Sequence, residues 1–272
     1  MPELPEVETV ARGLRAHIVG ETLQEVLILH PTLIVKQDRE HFRRQLEGAT
    51  FEQVGRRAKF LLFSLGSRGV LLGHLRMTGK FIVSDPLPEP GKHHRVWLTL
   101  ESGKLLIFED MRCFGTLEWF PEVSRIPQLQ ALGPEPFSAE FNRAHLEGQL
   151  AHRRREIKPA LLDQRLVAGI GNIYASEILF RVGVHPTRAA DQLNTAELEA
   201  LVQATQQVLT EALLKNGTSI SDFRRVDDKT GEFQNFLQVY DRTGQPCRQC
   251  GTSIERLVQQ QRSTFYCPKC QR

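Results

Sequence analysis

Pro2 is the residue of this 272-residue chain that is best suited to act as a nucleophile. A small second residue permits removal of the initiator methionine, which leaves Pro2 with a free secondary amine. Such an amine attacks a sugar aldehyde carbon and forms an iminium, while the adjacent Glu3 carboxyl can supply the proton that opens the sugar ring. The opening also has a structural interpretation, because proline and acids both favour the first turn of a helix. The other end of the chain favours the chemical interpretation.

That end holds four of the five cysteines in the pattern Cys-x2-Cys-x16-Cys-x2-Cys. The spacing is typical of a tetrahedral four-thiolate zinc site and predicts one structural zinc ion. Paired disulfides or a redox Cys-x2-Cys are the alternatives, and they are disfavoured in a reducing cytoplasm. We expect that compartment because no apolar signal segment precedes Pro2. The predicted ligands are Cys247, Cys250, Cys267 and Cys270.

The charge of the whole chain says little, whereas the charge of its end is informative. A net charge of +3 and a pI near 8.6 do not by themselves indicate nucleic acid. Between positions 242 and 272, however, six basic residues face one acid. This excess exceeds the net charge of −2 of a zinc ion with four thiolates, so the ribbon suits a polyanion. No apolar run is long enough to span a membrane.

The order of periodicities predicts a helix, then a sheet region, then a helical region. Apolar residues at helical spacing predict a helix after the opening that ends near Gly20. Seven short apolar or alternating runs follow, which predict an antiparallel sandwich or barrel. Four prolines between positions 121 and 136 indicate a linker. The strand runs are 22–29, 59–65, 70–75, 80–83, 96–100, 105–108 and 116–120.

The region beyond the linker contains one long amphipathic stripe and one glycine-bearing double turn. The stripe covers 198–213, with Asn194 as predicted N-cap and Gly217 as predicted C-cap. A helix is expected to begin near Pro159, and a second one to run from Asn172 to about Val182. Glycines in the intervening turn and a basic run at 153–155 favour a phosphate site at the second helix start. The alternative is a purely structural role, in which the glycines form the turn and Asn172 caps the start of the second helix.

Three motifs together resemble formamidopyrimidine-DNA glycosylase. They are the opening PELPEVET, the double turn Gly-Ile-Gly-Asn-Ile-Tyr-Ala-Ser-Glu at 169–177 and the terminal ribbon with Gln-Arg-Ser-Thr-Phe-Tyr-Cys at 261–267. The likeness covers the whole chain in the expected order. Endonuclease VIII shares the architecture, but its opening typically reads Pro-Glu-Gly-Pro-Glu, so Leu4 favours the former.

The resemblance implies roles for the residues that do the chemistry. Pro2 is implied to attack C1′ of the damaged nucleotide, and Glu3 to protonate the sugar ring oxygen. Lys59 and Arg262 match residues that bind phosphate at the lesion and are linked to β- and δ-elimination respectively. An arginine fork suits phosphate oxygens. Glu6 matches a third acidic position that organises the site.

The resemblance also implies residues that enter the DNA. A base inside a duplex is reached only by eversion, so the enzyme fills the vacated space. Met77, Arg112 and Phe114 match the family's wedge residues, and strand alternation places Arg112 and Phe114 on one side with Cys113 on the other. Without the resemblance, Met77 and Phe114 would be expected in a core. Cys113 departs from the family, which usually has lysine or arginine there.

Further DNA-binding residues are implied by position. Lys158 and Asn172 match well. The alignment is ambiguous at His93, which has a histidine neighbour, and at Arg153, which has arginine neighbours. The implied set outside the wedge and the catalytic residues is His74, His93, Arg153, Lys158, Asn172 and Tyr240. Residues 217–237 are implied to form the lesion-recognition loop.

The sequence therefore predicts an α+β multidomain protein. Residues 1–120 are expected to form the N-terminal catalytic helix and β-sandwich, and 121–137 the linker. Residues 138–237 are expected to form the helical domain with a helix–two-turn–helix, and 238–272 the zinc finger. The implied protein is a monomeric, cytoplasmic, nucleoid-associated enzyme of bacterial type. It needs no small-molecule cofactor or membrane.

The implied activity is removal of oxidised purines from double-stranded DNA, followed by cleavage at abasic sites. The alternatives are an oxidised-pyrimidine glycosylase of endonuclease VIII type and a zinc-ribbon protein that binds damaged DNA without cleaving it.

Overall fold

The computed structural model describes residues 1–30, 33–34, 37–85, 89, 91–151, 154–218 and 231–272. Within these ranges the chain forms α-helices and antiparallel strands in two compact units. The helices are α1 (Leu4–Ile18), α2 (Arg39–Leu46), α3 (Pro127–Gln130), α4 (Arg143–Leu150), α5 (Ile157–Leu161), α6 (Asn172–Val182) and α7 (Thr195–Leu214). The strands are β1 (Leu23–Ile28), β2 (Gln53–Arg57), β3 (Phe60–Ser64), β4 (Val70–His74), β5 (Gly79–Ser84), β6 (His94–Leu100), β7 (Leu105–Asp110), β8 (Thr116–Phe120), β9 (Glu255–Gln259) and β10 (Arg262–Tyr266).

The first unit, Met1–Gln130 with Lys215–Gln234, contains the predicted β-sandwich. In the described residues one sheet has the order β1-β6-β7-β5 and the other β2-β3-β4-β8, and all pairings within them are antiparallel. A continuous core packs side chains of both sheets, such as Phe63 and Phe108, against one face of α1. Burying each such side chain stabilises the fold by roughly 1.5–3 kcal/mol. The sandwich is therefore confirmed.

Helix α1 follows the opening as its periodicity predicts. Val7, Val10, Leu14 and Ile18 lie on its buried face and are at most 1% exposed. The chain turns away after Ile18 and reaches Gly20, whose φ is +86°. The buried face of α1 holds the start of the helix in place. The position of Pro2 and Glu3, directly before Leu4, is therefore fixed as well.

Besides the four-residue helix α3 inside the predicted linker, two longer elements of the first unit were not predicted from the sequence. Strand β2 contains Gly55 and two arginines, and of its five residues only Val54 is buried. Helix α2 is polar except for Phe42 and Leu46, which lie four residues apart on its buried side. Both elements depend on tertiary contacts, since their own apolar periodicity is too short to identify them.

The second unit, Ala131–Leu214 with Asn235–Arg272, contains the helices α4–α7 and the β9–β10 hairpin. Helix α6 has the bounds expected from the sequence, and Gly183 ends it with a φ of +77°. Gln164 supports the preceding double turn: its side chain accepts from Gly169 N–H at 2.9 Å and donates to the Ile170 carbonyl at 2.8 Å.

Helix α7 begins with the predicted reciprocal cap and ends before the predicted one. Asn194 Oδ1 accepts from Glu197 N–H at 3.0 Å, and Glu197 Oε2 accepts from Asn194 N–H at 2.9 Å. The helix ends at Leu214, so Gly217 is not its C-cap. Gly217 instead has a separate contact with the N-terminal helix, described below. Among the described residues, we find no helix whose length and apolar character would suffice to cross a membrane.

Candidate active site, wedge loops and zinc ribbon

Glu3 and Glu6 form a reciprocal cap at the start of α1. Glu6 Oε2 accepts from Glu3 N–H at 2.8 Å, and the Glu3 side chain accepts from Glu6 N–H. Both acids are about 2% exposed, and Pro2 is buried beside them. After removal of Met1, the Pro2 amine would lie at the start of α1, directly beside Glu3. The local structure therefore holds the predicted nucleophile and the predicted acid on adjacent buried residues.

The second oxygen of Glu6 holds the base of the predicted lesion-recognition loop. Glu6 Oε1 accepts from Thr218 N–H at 2.7 Å. Gly217 has a φ of +77°, and a Cβ there would lie 2.8 Å from this oxygen. The two ends of the loop meet, because Phe233 N–H donates to the Gly217 carbonyl at 3.0 Å. The intervening 219–230 lie outside the described residues.

Lys59 lies in the two-residue turn between β2 and β3. Ala58, its partner in the turn, has a φ of +53°, a conformation that non-glycine residues rarely adopt. The hairpin is tied to α1 by the Arg56–Glu8 ion pair at 3.2 Å. Lys59 is only 6% exposed, so the turn holds its side chain in a restricted position.

His74, at the end of β4, is a neutral imidazole. Burial, followed by the charges of Arg76 and Lys59, lowers the pKa of His74 to about 3. Its Nδ1 accepts from Arg76 N–H at 2.9 Å, so the single ring proton is on Nε2. The ring also packs edge-on against Phe60 at 4.7 Å between centroids. At neutral pH His74 can therefore donate a hydrogen bond without carrying a charge.

The three predicted wedge residues have the exposure that a wedge requires. Met77 is 40% and Phe114 53% exposed, which excludes a core position for either. The Arg112 guanidinium lies 4.7 Å from the centre of the Phe114 ring, within cation–π range. Cys113 packs against the core, so it points away from the exposed Arg112 and Phe114, as predicted. Its φ of +55°, however, shows that the segment is a turn and not a strand.

Asp110 organises both wedge loops, and the sequence analysis missed it. Its Oδ2 accepts from Gly115 N–H at 2.7 Å, and its Oδ1 accepts from Arg112 N–H at 3.1 Å and from the Thr78 hydroxyl. Its carboxylate is fully buried. A carboxylate with several N–H and O–H donors is a strong fixed acceptor. The only sequence signal was its position directly before the Arg112 turn.

The structure distinguishes the two adjacent histidines at the start of β6. His94 Nδ1 accepts from Trp97 Nε1–H at 3.1 Å, and its Nε2 lies 3.7 Å from Glu109. His94 is therefore used inside the unit. His93 lies beside Arg95, with 3.4 Å between Nδ1 and Nη2, and its DNA contact stays a prediction.

In the second unit, Lys158 is almost completely buried. Its Nζ lies 2.7 Å from Asn172 Oδ1, 2.7 Å from Thr264 Oγ1 and 3.1 Å from the Ser263 carbonyl. Asn172 Nδ2 donates to the same carbonyl at 2.9 Å. The structure thus brings together the predicted residues Lys158 and Asn172 and connects both to β10. Arg153 lies outside the described residues.

Arg262 is exposed at the first position of β10, after a strained hairpin turn. The turn residues Gln260 and Gln261 have φ values of +46° and +62°, where glycine or asparagine would be usual. Strain of this kind is retained where the surrounding structure fixes it, often at functional sites. The guanidinium is therefore presented to solvent by a rigid two-strand support.

Glu177 is a second buried acid that the sequence analysis missed. Its two oxygens accept from the N–H groups of Gln238, Val239 and Tyr240 at 2.8, 3.0 and 2.8 Å. Burial raises the pKa of this carboxyl, while the three backbone donors oppose that shift. Glu177 thereby fixes the backbone of Tyr240, whose ring packs on Phe265 at 4.9 Å. An acid on the buried side of α6 was the available signal.

The four cysteines fit a tetrahedral zinc site. Their Sγ atoms all lie within 4.8 Å of one another, with 3.9 Å between Cys247 and Cys270 and 3.5 Å between Cys250 and Cys267. Tetrahedral coordination at about 2.3 Å per Zn–S bond requires S–S separations of about 3.8 Å. The donor set and the spacing agree, so the ribbon is a four-cysteine zinc finger for one structural ion.

Comparison with known proteins agrees with the three motifs. Residues 1–117 match the formamidopyrimidine-DNA glycosylase N-terminal domain, 132–224 the formamidopyrimidine-DNA glycosylase H2TH domain, and 244–272 the zinc finger found in FPG and IleRS. The chain is 44% identical, over the full length of both, to formamidopyrimidine-DNA glycosylase of Desulfitobacterium hafniense strain DSM 10664 / DCB-2. The chain belongs to the formamidopyrimidine-DNA glycosylase family.

Solved structures of the family have the same fold. The MutM (FPG) protein of Thermus thermophilus is 42% identical with a TM-score of 0.89, covering 99% of this chain and 98% of the other. A mutant FPG of Lactococcus lactis, crystallised with DNA containing Fapy-dG, is 35% identical with a TM-score of 0.94 and full coverage of both chains. The predicted family, fold and zinc finger are confirmed.

Proposed function

We propose that this formamidopyrimidine-DNA glycosylase excises oxidised purines from duplex DNA and then cleaves the strand at the abasic site. The observation that carries the proposal is the buried Pro2-Glu3 pair at the start of α1, in a chain that belongs to this family. The relatives support the substrate class. A Lactococcus lactis Fpg was crystallised with abasic-site DNA, and a MutM with DNA containing carbocyclic 8-oxoguanine.

The first step in this proposal is attack of the Pro2 amine on C1′. The C1′–N bond to the base breaks as the N–C1′ bond forms, and the base leaves with a proton. Protonation of the ring oxygen by Glu3 then opens the sugar and gives the iminium. Elimination of the 3′ and then the 5′ phosphate cleaves the strand on both sides, and water releases Pro2 unchanged.

Each unit would contribute its own contacts to the DNA backbone. In the first unit, Lys59 supplies charge, and the neutral His74 supplies a hydrogen-bond donor. In the second unit, Arg262 projects from the rigid hairpin, and the zinc ion, when bound, holds that hairpin together. Glu6 would organise the site, and the further DNA contacts implied by the family are those of His93, Arg153, Lys158, Asn172 and Tyr240.

The exposed wedge supports eversion of the damaged base. Phe114 and Met77 are apolar side chains in solvent on loops that Asp110 fixes. Intercalation of Phe114 would bury its ring, while Arg112 donates to the orphaned base. The loop 217–237, anchored at Glu6, would cover the everted base. Because the substrate is chromosomal DNA, we propose that the enzyme acts at the bacterial nucleoid in the cytoplasm. We also propose that it acts as a monomer.

Borohydride trapping tests the nucleophile. Borohydride reduces an iminium to a stable amine, so it should join the protein to duplex DNA containing 8-oxoguanine, and the bond should map to the peptide that begins at Pro2. A protein that retains Met1 should not trap, because the amine is blocked. Glu3→Gln should still bind the DNA but excise the base poorly. Pro2→Gly keeps a primary amine and should retain weak trapping.

Normal trapping by the Met1-retaining protein would refute Pro2 as the nucleophile and leave Lys59 as the next amine to test. A panel of duplexes, each with one defined lesion, tests the substrate class. Faster cleavage of oxidised pyrimidines than of oxidised purines would favour the endonuclease VIII alternative. Tight binding of all lesions without cleavage would favour a non-catalytic damage-binding protein.

A further inference from the structure

A hydrogen-bonded relay of neutral side chains connects the buried ammonium of Lys158 to a carboxylate. Lys158 Nζ donates to Thr264 Oγ1 at 2.7 Å, and Thr264 Oγ1 donates to Gln259 Oε1 at 2.8 Å. Gln259 Nε2 then donates to Glu156 Oε2 at 2.7 Å. The donors and acceptors along the relay are mutually consistent, since the Thr264 hydroxyl accepts one bond and donates another, and the Gln259 amide accepts through Oε1 and donates through Nε2.

The relay is buried along most of its length. Lys158 is 1%, Thr264 0% and Gln259 7% exposed. A buried ammonium costs several kcal/mol unless its donors find acceptors. The acceptors of Nζ named above are as many as its three N–H donors, and all of them belong to neutral groups. The nearest carboxylate in this chain of bonds is separated from the ammonium by two side chains.

The relay also fixes the residues that flank the predicted phosphate contacts. The Ser263 carbonyl receives hydrogen bonds from both Lys158 and Asn172, and Ser263 directly follows Arg262. On the other side, Gln259 Nε2 also donates to the Pro186 carbonyl at 3.1 Å. The positions of Asn172 and of β10 are therefore determined by one connected network.

We propose that Lys158, Thr264, Gln259 and Glu156 are positioning residues for DNA binding. Lys158 holds Asn172 and the Arg262 strand in register, and the relay keeps Lys158 in that position. This inference rests on the proposed function. It assigns a role to Thr264 and Gln259, two uncharged buried residues with no place in the chemistry.

Thr264→Val is the sharpest test, because it removes the hydroxyl with little change of shape and no change of charge. Thr264→Ser is the matched control that keeps the hydroxyl. We would measure binding to a duplex containing a tetrahydrofuran abasic-site analogue by fluorescence anisotropy at several salt concentrations, together with zinc content and cleavage of 8-oxoguanine duplex. Thr264→Val should lose about tenfold in affinity, which corresponds to about 1.4 kcal/mol.

The salt dependence separates positioning from a general loss of stability. If the register of Arg262 is lost, one phosphate contact disappears, and the slope of log K against log salt falls by about 0.9 in Thr264→Val. Thr264→Ser should retain the wild-type slope. Gln259→Leu, one step further along the relay, should reproduce the Thr264→Val slope with a full zinc content.

The inference is overturned if zinc-loaded Thr264→Val and Gln259→Leu bind with wild-type affinity and slope. It is also overturned if Lys158→Met and Thr264→Val weaken binding additively, because residues of one network should show coupled losses. A wild-type protein that neither binds nor cleaves these duplexes would instead refute the proposed function, and that result is visible before any variant is compared.

Discussion

The neutral imidazole of His74 makes a prediction about stability that can be worked from the structure. Its pKa of about 3 in the folded protein lies below the value of 6.5 expected in the unfolded chain. As the pH falls, the unfolded chain therefore binds this proton first. The stability from a neutral His74 is full above about pH 6.5 and is lost toward pH 3. The loss is about 1.4 kcal/mol per pH unit, so about 2 kcal/mol at pH 5.

His74→Asn is the matched variant for this measurement. The asparagine Oδ1 can replace Nδ1 as acceptor for Arg76 N–H, but it does not titrate. We would compare urea unfolding at pH 7.5 and pH 5.0 by tryptophan fluorescence. The two tryptophans, Trp97 and Trp119, both belong to the first unit, so the signal does not report on the zinc finger. The wild type should lose about 2 kcal/mol more than the variant over this interval.

A direct titration provides the decisive control. The His74 ring resonance is identified as the one absent from the His74→Asn spectrum and is followed by NMR from pH 8 to pH 4.5. It should not move through this range. A midpoint near 6.5, or equal losses of stability in the two proteins, would refute the assignment of a neutral buried imidazole.

Four further outcomes are expected. Cys270→Ser should lose its zinc, measured by elemental analysis, and with it DNA binding, since such small modules rarely fold without metal; unchanged affinity without zinc would contradict this. Phe114→Ala should slow excision from 8-oxoguanine duplex by about tenfold more than processing of a pre-formed abasic site, an effect of about 1.4 kcal/mol; equal losses would mean that Phe114 is no wedge. Asp110→Asn should show the same difference between the two substrates, because it releases both wedge loops; a loss of stability with unchanged selectivity would limit Asp110 to folding. Glu177→Gln should destabilise the second unit by about 1–3 kcal/mol, because it weakens the three hydrogen bonds that Glu177 accepts from the backbone. Urea unfolding followed by circular dichroism measures this loss, and the exposed Glu199→Gln is the control, with an expected loss of about 0.5 kcal/mol or less.

Local chemistry explains why much of the fold could be predicted. The end of α6 follows from Gly183, whose left-handed conformation acts within the last turn of the helix. The reciprocal cap of α7 likewise depends on two residues three positions apart. Strand β2 and helix α2 were missed because their buried positions are too few to produce a period. The predicted Gly217 cap was wrong because a tertiary contact, and not the end of a helix, uses this glycine. Its conformation serves a contact with Glu6, more than 200 residues away in sequence.

The candidate site divides in the same way. Pro2, Glu3 and the four cysteines could be named from the sequence, because their chemistry depends on residue type and short spacing. The exposure of Met77 and Phe114 could not, since an apolar residue in a short segment fits a core equally well. Only the structure shows that Asp110 draws the neighbouring backbone into turns that leave these side chains in solvent.

The sequence alone thus determined the family, the order of the helical and sheet regions and the metal ligands, each of which is encoded in residues that are neighbours along the chain. The role of Pro2 as nucleophile stays a prediction. The tertiary structure decided which polar groups are buried and what satisfies them. Lys158 and Thr264 are separated by 106 positions, and Glu6 and Thr218 by 212. A buried donor or acceptor must find a partner wherever the packing brings one, and that partner has no fixed spacing in the sequence.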